Sequence, residues 1–198
     1  MKMFLSSSLA IFALYSNVSF SAPHEIDPSH SSVNFKIRHL FTKTTGQFKK
    51  FTGKIDFSPD APLKARFDFT VNANSINTDN EERDKHLRSK DFFWVEKHPL
   101  ITFKSQEIIP KGKHSFLVKG LLSIRGVSKV STVKMNYLGQ VKDPWGTYKA
   151  GFEALAKVNR KDFGLIWNKN LDSGGVILGD QVDIEIFLET INKSKSKN

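Results

Sequence analysis

The sequence predicts an all-β domain, an eight-stranded antiparallel barrel with one helical insertion. Apolar and polar residues alternate with period two in eight successive segments, the pattern of strands that bury one face. Short turn signals join most of these segments and no βαβ rhythm separates them. That favours an up-and-down barrel, at the strand number that can just hold a small ligand. A two-sheet sandwich is the alternative. The charged stretch of residues 78–99, TDNEERDKHLRSKDFFWVEKHP, is where the strand pattern gives way to a helical one.

At the start of the chain, Lys2, an apolar run over residues 5–18 and small residues at Ser19 and Ser21 fit a secretory signal cleaved before Ala22. A membrane anchor fits less well, because the run is short for a hydrocarbon core of about 30 Å and Ser6, Ser7 and Ser8 interrupt it. Removing residues 1–21 leaves 177 of 198 residues, the size of one domain with a sizeable core. The expected layout is a signal at 1–21, a periplasmic barrel at 22–192 and a short basic disordered tail at 193–198. The chain has no cysteine, so no disulfide framework, thiol nucleophile or thiolate ligand is available.

The first strand, residues 31–40, places Val33, Phe35, Ile37 and His39 on one face. In residues 46–57 the apolar positions Phe48, Phe51, Ile55 and Phe57 change parity, which predicts a bulge or strong bend within one strand. A turn at Ser58-Pro59-Asp60-Ala61-Pro62 leads to strand three, where Ala65, Phe67, Phe69, Val71 and Ala73 face together. In the insertion, Thr78 and Glu81 form a capping-box pattern, and Glu81 with Lys85 and Asp84 with Arg88 make i,i+4 pairs, so a short helix is expected. Such a helix is marginal alone and its one apolar residue is Leu87. Phe92, Phe93 and Trp94 are therefore expected to anchor it as a cap over one end of the barrel.

Ile101 and Phe103 mark strand four, and Phe116, Val118, Gly120, Leu122 and Ile124 mark strand five. Val133, Met135, Tyr137, Gly139 and Val141 share a side of strand six, which ends in the turn Asp143-Pro144-Trp145-Gly146. Tyr148, Ala150, Phe152, Ala154, Ala156 and Val158 share a face of strand seven, and Val182, Ile184, Ile186 and Leu188 one of strand eight. Residues 161–180 form the longest connection without periodicity but carry Phe163, Leu165, Ile166 and Trp167, which points to a functional or moving loop. On the inward faces, Gly120, Gly139, Ala150, Ala154 and Ala156 stand beside large aromatics. They either interdigitate with the phenylalanines or leave a slot in an interior otherwise packed to about 0.74 density.

A series of stretches in fixed order carries a family resemblance. They are His30-Ser31 with Val33-Asn34-Phe35 and His39-Leu40; Gly46-Gln47-Phe48 with Phe51-Thr52-Gly53; residues 82–89 with Asp91-Phe92; and Pro99 with Thr102-Phe103. Gly120-Leu121-Leu122 with Gly126-Val127, the Asp143 turn with residues 150–154, and Arg160 with Asp162-Phe163-Gly164 complete it. Over residues 24–191 the chain resembles the YceI-like family of exported, polyisoprenoid-binding proteins. The resemblance implies a lipocalin-like eight-stranded barrel that holds a long isoprenoid or fatty-acyl chain in its lumen, without a cofactor, for transport, storage or a stress response. The candidate ligand contacts are then Phe35, Ile37, His39, Phe67, Phe69, Phe92, Phe93, Phe103, Val118, Met135, Tyr137, Phe152, Ala154, Ala156, Phe163 and Trp167. Arg83, His86 and Arg160 are candidates for a polar headgroup.

Other functions find less in the sequence. An enzyme acting on an isoprenoid could use Arg83, Asp84 and His86 with Arg160 and Asp162, but no GxSxG or cysteine marks a nucleophile, so no catalytic residue is assigned. Arg83, Asp84 and Asp162 read first as an ion-pair and capping network that fixes the helix, ahead of contact with a headgroup. No HxxxH or HExxH spacing occurs among the six histidines, so no metal is expected. Losing Lys2 with the signal leaves 29 basic against 20 acidic residues, a net charge of +9. Without a recognition motif this reads as no nucleic acid partner but as transient contact with an anionic membrane surface. A homodimer stays open.

Overall fold

The strands in chain order are β1 (Ala22–Ile26), β2 (Ser32–His39), β3 (Thr42–Phe48), β4 (Phe51–Phe57), β5 (Arg66–Asn72) and β6 (Ile76–Asn77). After the helix α1 (Glu81–Arg88) come β7 (Leu100–Pro110), β8 (Ser115–Ile124), β9 (Val127–Lys142), β10 (Tyr148–Asn159) and β11 (Leu178–Asn192). The structure, a computed structural model, describes residues 22–170 and 176–192. The expected signal segment and basic tail lie outside the described residues.

All neighbouring strands pair antiparallel. The ring runs β1-β4-β5-β7-β8-β9-β10-β11 and closes where β11 pairs with β1. β2, β3 and β6 extend β1, β4 and β5 end to end, because β11 pairs first with β2 and then with β1, and β3 pairs with both β2 and β6. The molecule is thus the expected eight-stranded closed barrel, with three adjacent staves each broken once.

Those breaks correct the sequence reading. Residues 46–57 are two strands with a corner at Lys49-Lys50, and a 3₁₀ turn at Ala73–Ser75 sits beside it. The backbone groups freed at the corner are satisfied across the break: Lys49 N–H donates to Ser75 O (3.1 Å) and Asn72 N–H to Lys50 O (2.9 Å). The third break is the 3₁₀ turn Pro28–His30, capped by Asp27, whose carboxylate accepts from Ser29 N–H at 3.0 Å. β1 before it went unread because Ala-Pro-His-Glu-Ile shows no alternation.

In β9 the pairing with β10 shifts register between Gly151 and Phe152, opposite Leu138 and Gly139. The bulge flips parity, so Val141, expected beside Tyr137 on the inner face, is 63% exposed. Gly139 takes φ 120° there, a conformation that suits glycine.

The helix exists but its cap differs. Asn80 is the N-cap and accepts from Arg83 N–H at 2.9 Å, whereas Thr78 is buried two residues earlier and bonds Asp84. Phe92 is buried and Phe93 packs beside it, as expected of an anchor. Trp94 is instead half-buried outside the core clusters, with Lys97 Nζ 4.5 Å from its ring centroid and His98 edge-on at 5.6 Å.

Candidate functional site

One half of the barrel interior is solid. Ile55, Phe57, Phe67, Phe116, Val118, Met135, Tyr137, Phe152 and Leu188 form a plug, with Phe57 lying 4.8 Å from Tyr137 and 5.1 Å from Phe152 between ring centroids. Burial pushes the Tyr137 hydroxyl's pKa up. Above the plug lies a cavity of about 620 Å³. Its wall comes from the inward positions of nearly every stave, among them Val33, Phe35, Phe48, Phe69, Val71, Ile101, Phe103, Leu122, Ala156, Ile184 and Ile186. Met135, Ala154 and Leu188 form its floor, shared with the plug.

The roof is built from the two segments that break the strand pattern. Leu87, Phe92 and Phe93 come from α1 and the turn after it, and Phe163, Leu165 and Trp167 from the connection before β11. The Trp167 ring lies 5.4 Å from Phe92 and 4.9 Å from His86, which joins the two segments. His39, Asn80, Glu82 and Arg83 line the same cavity yet are exposed, so the mouth opens between α1 and the β2–β3 hairpin.

Thirteen of the sixteen candidate ligand contacts line this cavity: Phe35, Ile37, His39, Phe67, Phe69, Phe92, Phe93, Phe103, Met135, Ala154, Ala156, Phe163 and Trp167. Val118, Tyr137 and Phe152 do not, because they are consumed in the plug. The slot also has a narrower origin than the small residues implied. A Cβ on Gly120 would strike the Phe103 ring and Lys104 O, so that glycine admits an aromatic rather than leaving space. Gly139 sits in the bulge and Ala150 in the plug. Ala154 and Ala156 are the small residues that border the void.

The charged candidates separate into different roles. Asp84 is buried and accepts from Thr78 N–H (2.9 Å) and Thr78 Oγ1 (2.6 Å). Arg83 donates Nε to Thr78 Oγ1 and Nη2 to Thr78 O, both at 2.7 Å, while remaining exposed at the mouth. His86 Nε2 pairs with Asp91 at 2.9 Å, and its ring also meets Phe92 edge-on. Arg160 is 4% exposed and donates to the carbonyls of Gly179, Leu165 and Trp167 at 2.8, 2.5 and 2.8 Å, with Asp180 at 3.3 Å. Burial lowers its pKa from the usual guanidinium value, and Asp180 partly offsets this. Asp162 is exposed. Arg83, His86 and Arg160 line the cavity while Asp84 and Asp162 do not, and most polar atoms of Arg83, Asp84 and Arg160 are bonded to groups of the fold.

A YceI-like domain profile matches residues 24–190. The chain belongs to the YceI-like family. A UPF0312 protein of Pseudomonas paraeruginosa is 40% identical over 169 residues, covering 81% of this chain and 88% of that one. Among solved structures, the YceI protein of Campylobacter jejuni is 29% identical, with TM-score 0.68 over 95% of this chain and 99% of its own. A polyisoprenoid binding domain from Saccharophagus degradans shares the fold at 16% identity and TM-score 0.63, covering 85% and 98% of the two chains.

In this YceI-like barrel, sequence reasoning missed lining residues whose signal was present. Ile184 and Ile186 lie on the face read for strand eight, and Leu122 and Ile124 on that read for strand five. It also missed the anchoring roles of Arg125 and of Arg88, which was expected to pair with Asp84 but holds backbone carbonyls instead. Arg88 holds Asn74 O (3.0 Å) and Ile76 O (2.7 Å), and Arg125 reaches from the β8–β9 turn to Gly164 O and to Lys90 O (2.7 Å).

Proposed function

We propose that the protein binds a long apolar chain, isoprenoid or fatty-acyl, in the barrel lumen and carries or stores it. The observation that carries this reading is the cavity of about 620 Å³, walled almost wholly by apolar side chains and open at one end. It falls in the size range of small-molecule sites, roughly 300–1,000 Å³, and polar groups able to meet a headgroup, Arg83 among them, stand at its mouth. Arg83 and His86 are the headgroup contacts in this proposal. Arg160 does not serve there, because carbonyls and Asp180 take its donors. The Saccharophagus domain, described as polyisoprenoid binding, supports isoprenoids as the first compounds to test.

The N-terminal pattern supports export to the periplasm, where such a carrier meets membranes whose anionic surface suits its positive charge. Binding rather than catalysis is the reading, since Asp84 and Arg160, the buried charges of the alternative enzyme site, hold backbone and side-chain groups of the fold.

Native mass spectrometry of protein from its own host, followed by organic extraction, is expected to release one class of long-chain lipid. Ala156→Phe fills the void without removing a strand hydrogen bond, so it should abolish lipid retention in a folded protein. Undiminished retention by folded Ala156→Phe overturns the lumen as the site.

A further inference from the structure

The cavity explains where a chain is held, but not how the mouth meets the bilayer that must supply and receive it. We propose that the tip of the β2–β3 hairpin, Leu40 and Phe41, is a docking element that inserts into an anionic lipid surface and seats the mouth upon it. This rests on the lumen as the lipid site and names the surface through which that site exchanges.

Phe41 is 100% exposed, although a phenylalanine on a water-facing turn has nothing to gain there from burial within its own fold. The hairpin joins its strands through two residues, a connection that ordinarily uses Asn-Gly or a related pair because positive φ is required. Here Leu40 takes φ 51°. A branched apolar residue in that region is strained, so the turn keeps two apolar residues at a conformational cost.

The tip does not stand alone. Leu178 pairs with His39 and Leu40 N–H donates to Ile177 O at 2.8 Å, so the same register continued one residue sets exposed Val176 opposite Phe41. Ile166, 69% exposed, belongs to the same connection. His39, two residues before Phe41, lines the cavity mouth, so the tip stands beside the opening.

Charge decides the occupant. Directly behind the tip, Arg38 and Lys43 are cross-strand partners, a like-charge pair that costs stability in water. Lys43 pairs with Asp183 at 2.9 Å, but that one carboxylate also faces Lys157, and Arg38 makes no ion pair among the described residues. An exposed aromatic backed by two neighbouring cations, of which only Lys43 has a carboxylate partner among the described residues, matches an anionic headgroup layer over acyl chains.

The test is flotation of the mature protein with vesicles of phosphatidylcholine alone or containing phosphatidylglycerol, with Trp145→Ser as control. Trp145 is 85% exposed on the β9–β10 turn at the plugged end. The wild type and Trp145→Ser should float with the anionic vesicles and be released by salt. Phe41→Ser should partition about tenfold less, the loss expected when one phenylalanine's burial is removed. Phe41→Leu should retain most binding, and Arg38→Gln, which leaves the turn untouched, should weaken it and so keeps the test open where Phe41→Ser does not fold.

Equal flotation of folded Phe41→Ser and wild type overturns the proposal, as does equal binding to neutral and anionic vesicles. Concentration-dependent dimers that Phe41→Ser dissolves, with vesicle binding unchanged, would assign the tip to a second copy instead. Uptake of a fluorescent fatty acid without vesicles is measured in parallel. If it fails in the wild type while Phe41-dependent flotation persists, the lumen reading falls and the docking surface stands.

Discussion

Arg160 illustrates how one side chain can be misassigned by type alone. A cation beside a cavity invites a headgroup, yet its guanidinium is committed to the carbonyls of Leu165 and Trp167 in the connection after β10 and of Gly179 at the irregular start of β11. Arg160→Met should therefore destabilise the fold by about 3 kcal/mol, since buried acceptors lose their donors. For a domain of this size that lowers Tm by roughly 6–12 °C, readable by calorimetry. Lysine is not an adequate substitute, because three carbonyls at fixed angles need the planar fork. Asp27 offers a pH-dependent counterpart. The hydrogen bond from His30, assisted by Ser29 N–H and by the charges of His30 and Lys149, holds its carboxyl below the ordinary 3.8 despite burial. Because the folded pKa is the lower one, this stabilisation is complete above 3.8 and is lost as pH falls through the folded value. Asp27→Asn should cost up to about 1 kcal/mol at neutral pH and flatten the acid limb of a stability profile measured by urea unfolding.

Among the elements, α1 and the connection before β11 form one roof. The sequence led us to expect a fixed helix and a moving late loop. The structure joins them through the Trp167 ring against Phe92 and His86, while Arg125 ties the β8–β9 turn to both segments. Ligand entry should accordingly loosen and protect the two together. Hydrogen exchange with and without bound lipid should show protection in residues 78–89 and 161–170 alike. Trp167→Ala should uncouple them, raising exchange at 161–170 without equal change in the helix. Protection confined to one segment in the wild type would show that the roof is not a unit.

At the scale of the whole molecule, the barrel is plugged at one end and hollow toward the other, and this asymmetry sets the ligand's limits. A chain can grow inward only until it meets the Met135, Ala154 and Leu188 floor. Affinity for a homologous series of prenyl alcohols should rise by about 0.8 kcal/mol per buried methylene and then level off, as measured by displacement of a fluorescent probe. A flat response across chain length would mean the ligand lies outside the lumen. Widening the floor with Leu188→Ala should move the plateau to longer chains, provided the variant stays folded after losing about 2–5 kcal/mol.

Periodicity by itself determined the eight staves, most of their inward faces and the polar insertion, because the two-residue repeat of a strand is local and survives in any half-buried sheet until a bulge such as that at Gly139 breaks it. It therefore found Phe35, Phe69 and Ala156 on the correct side. It could not tell Ala156 from Ala150, or Phe103 from Phe152, since each pair shares a pattern and differs only in height along the barrel axis. That height, which separates plug from cavity, is set by stagger between strands far apart in sequence. The same is true of Asp84 and Arg160, whose partners are chosen by where the chain returns rather than by spacing. Only the closed barrel decided which inward residues pack against one another and which face a void.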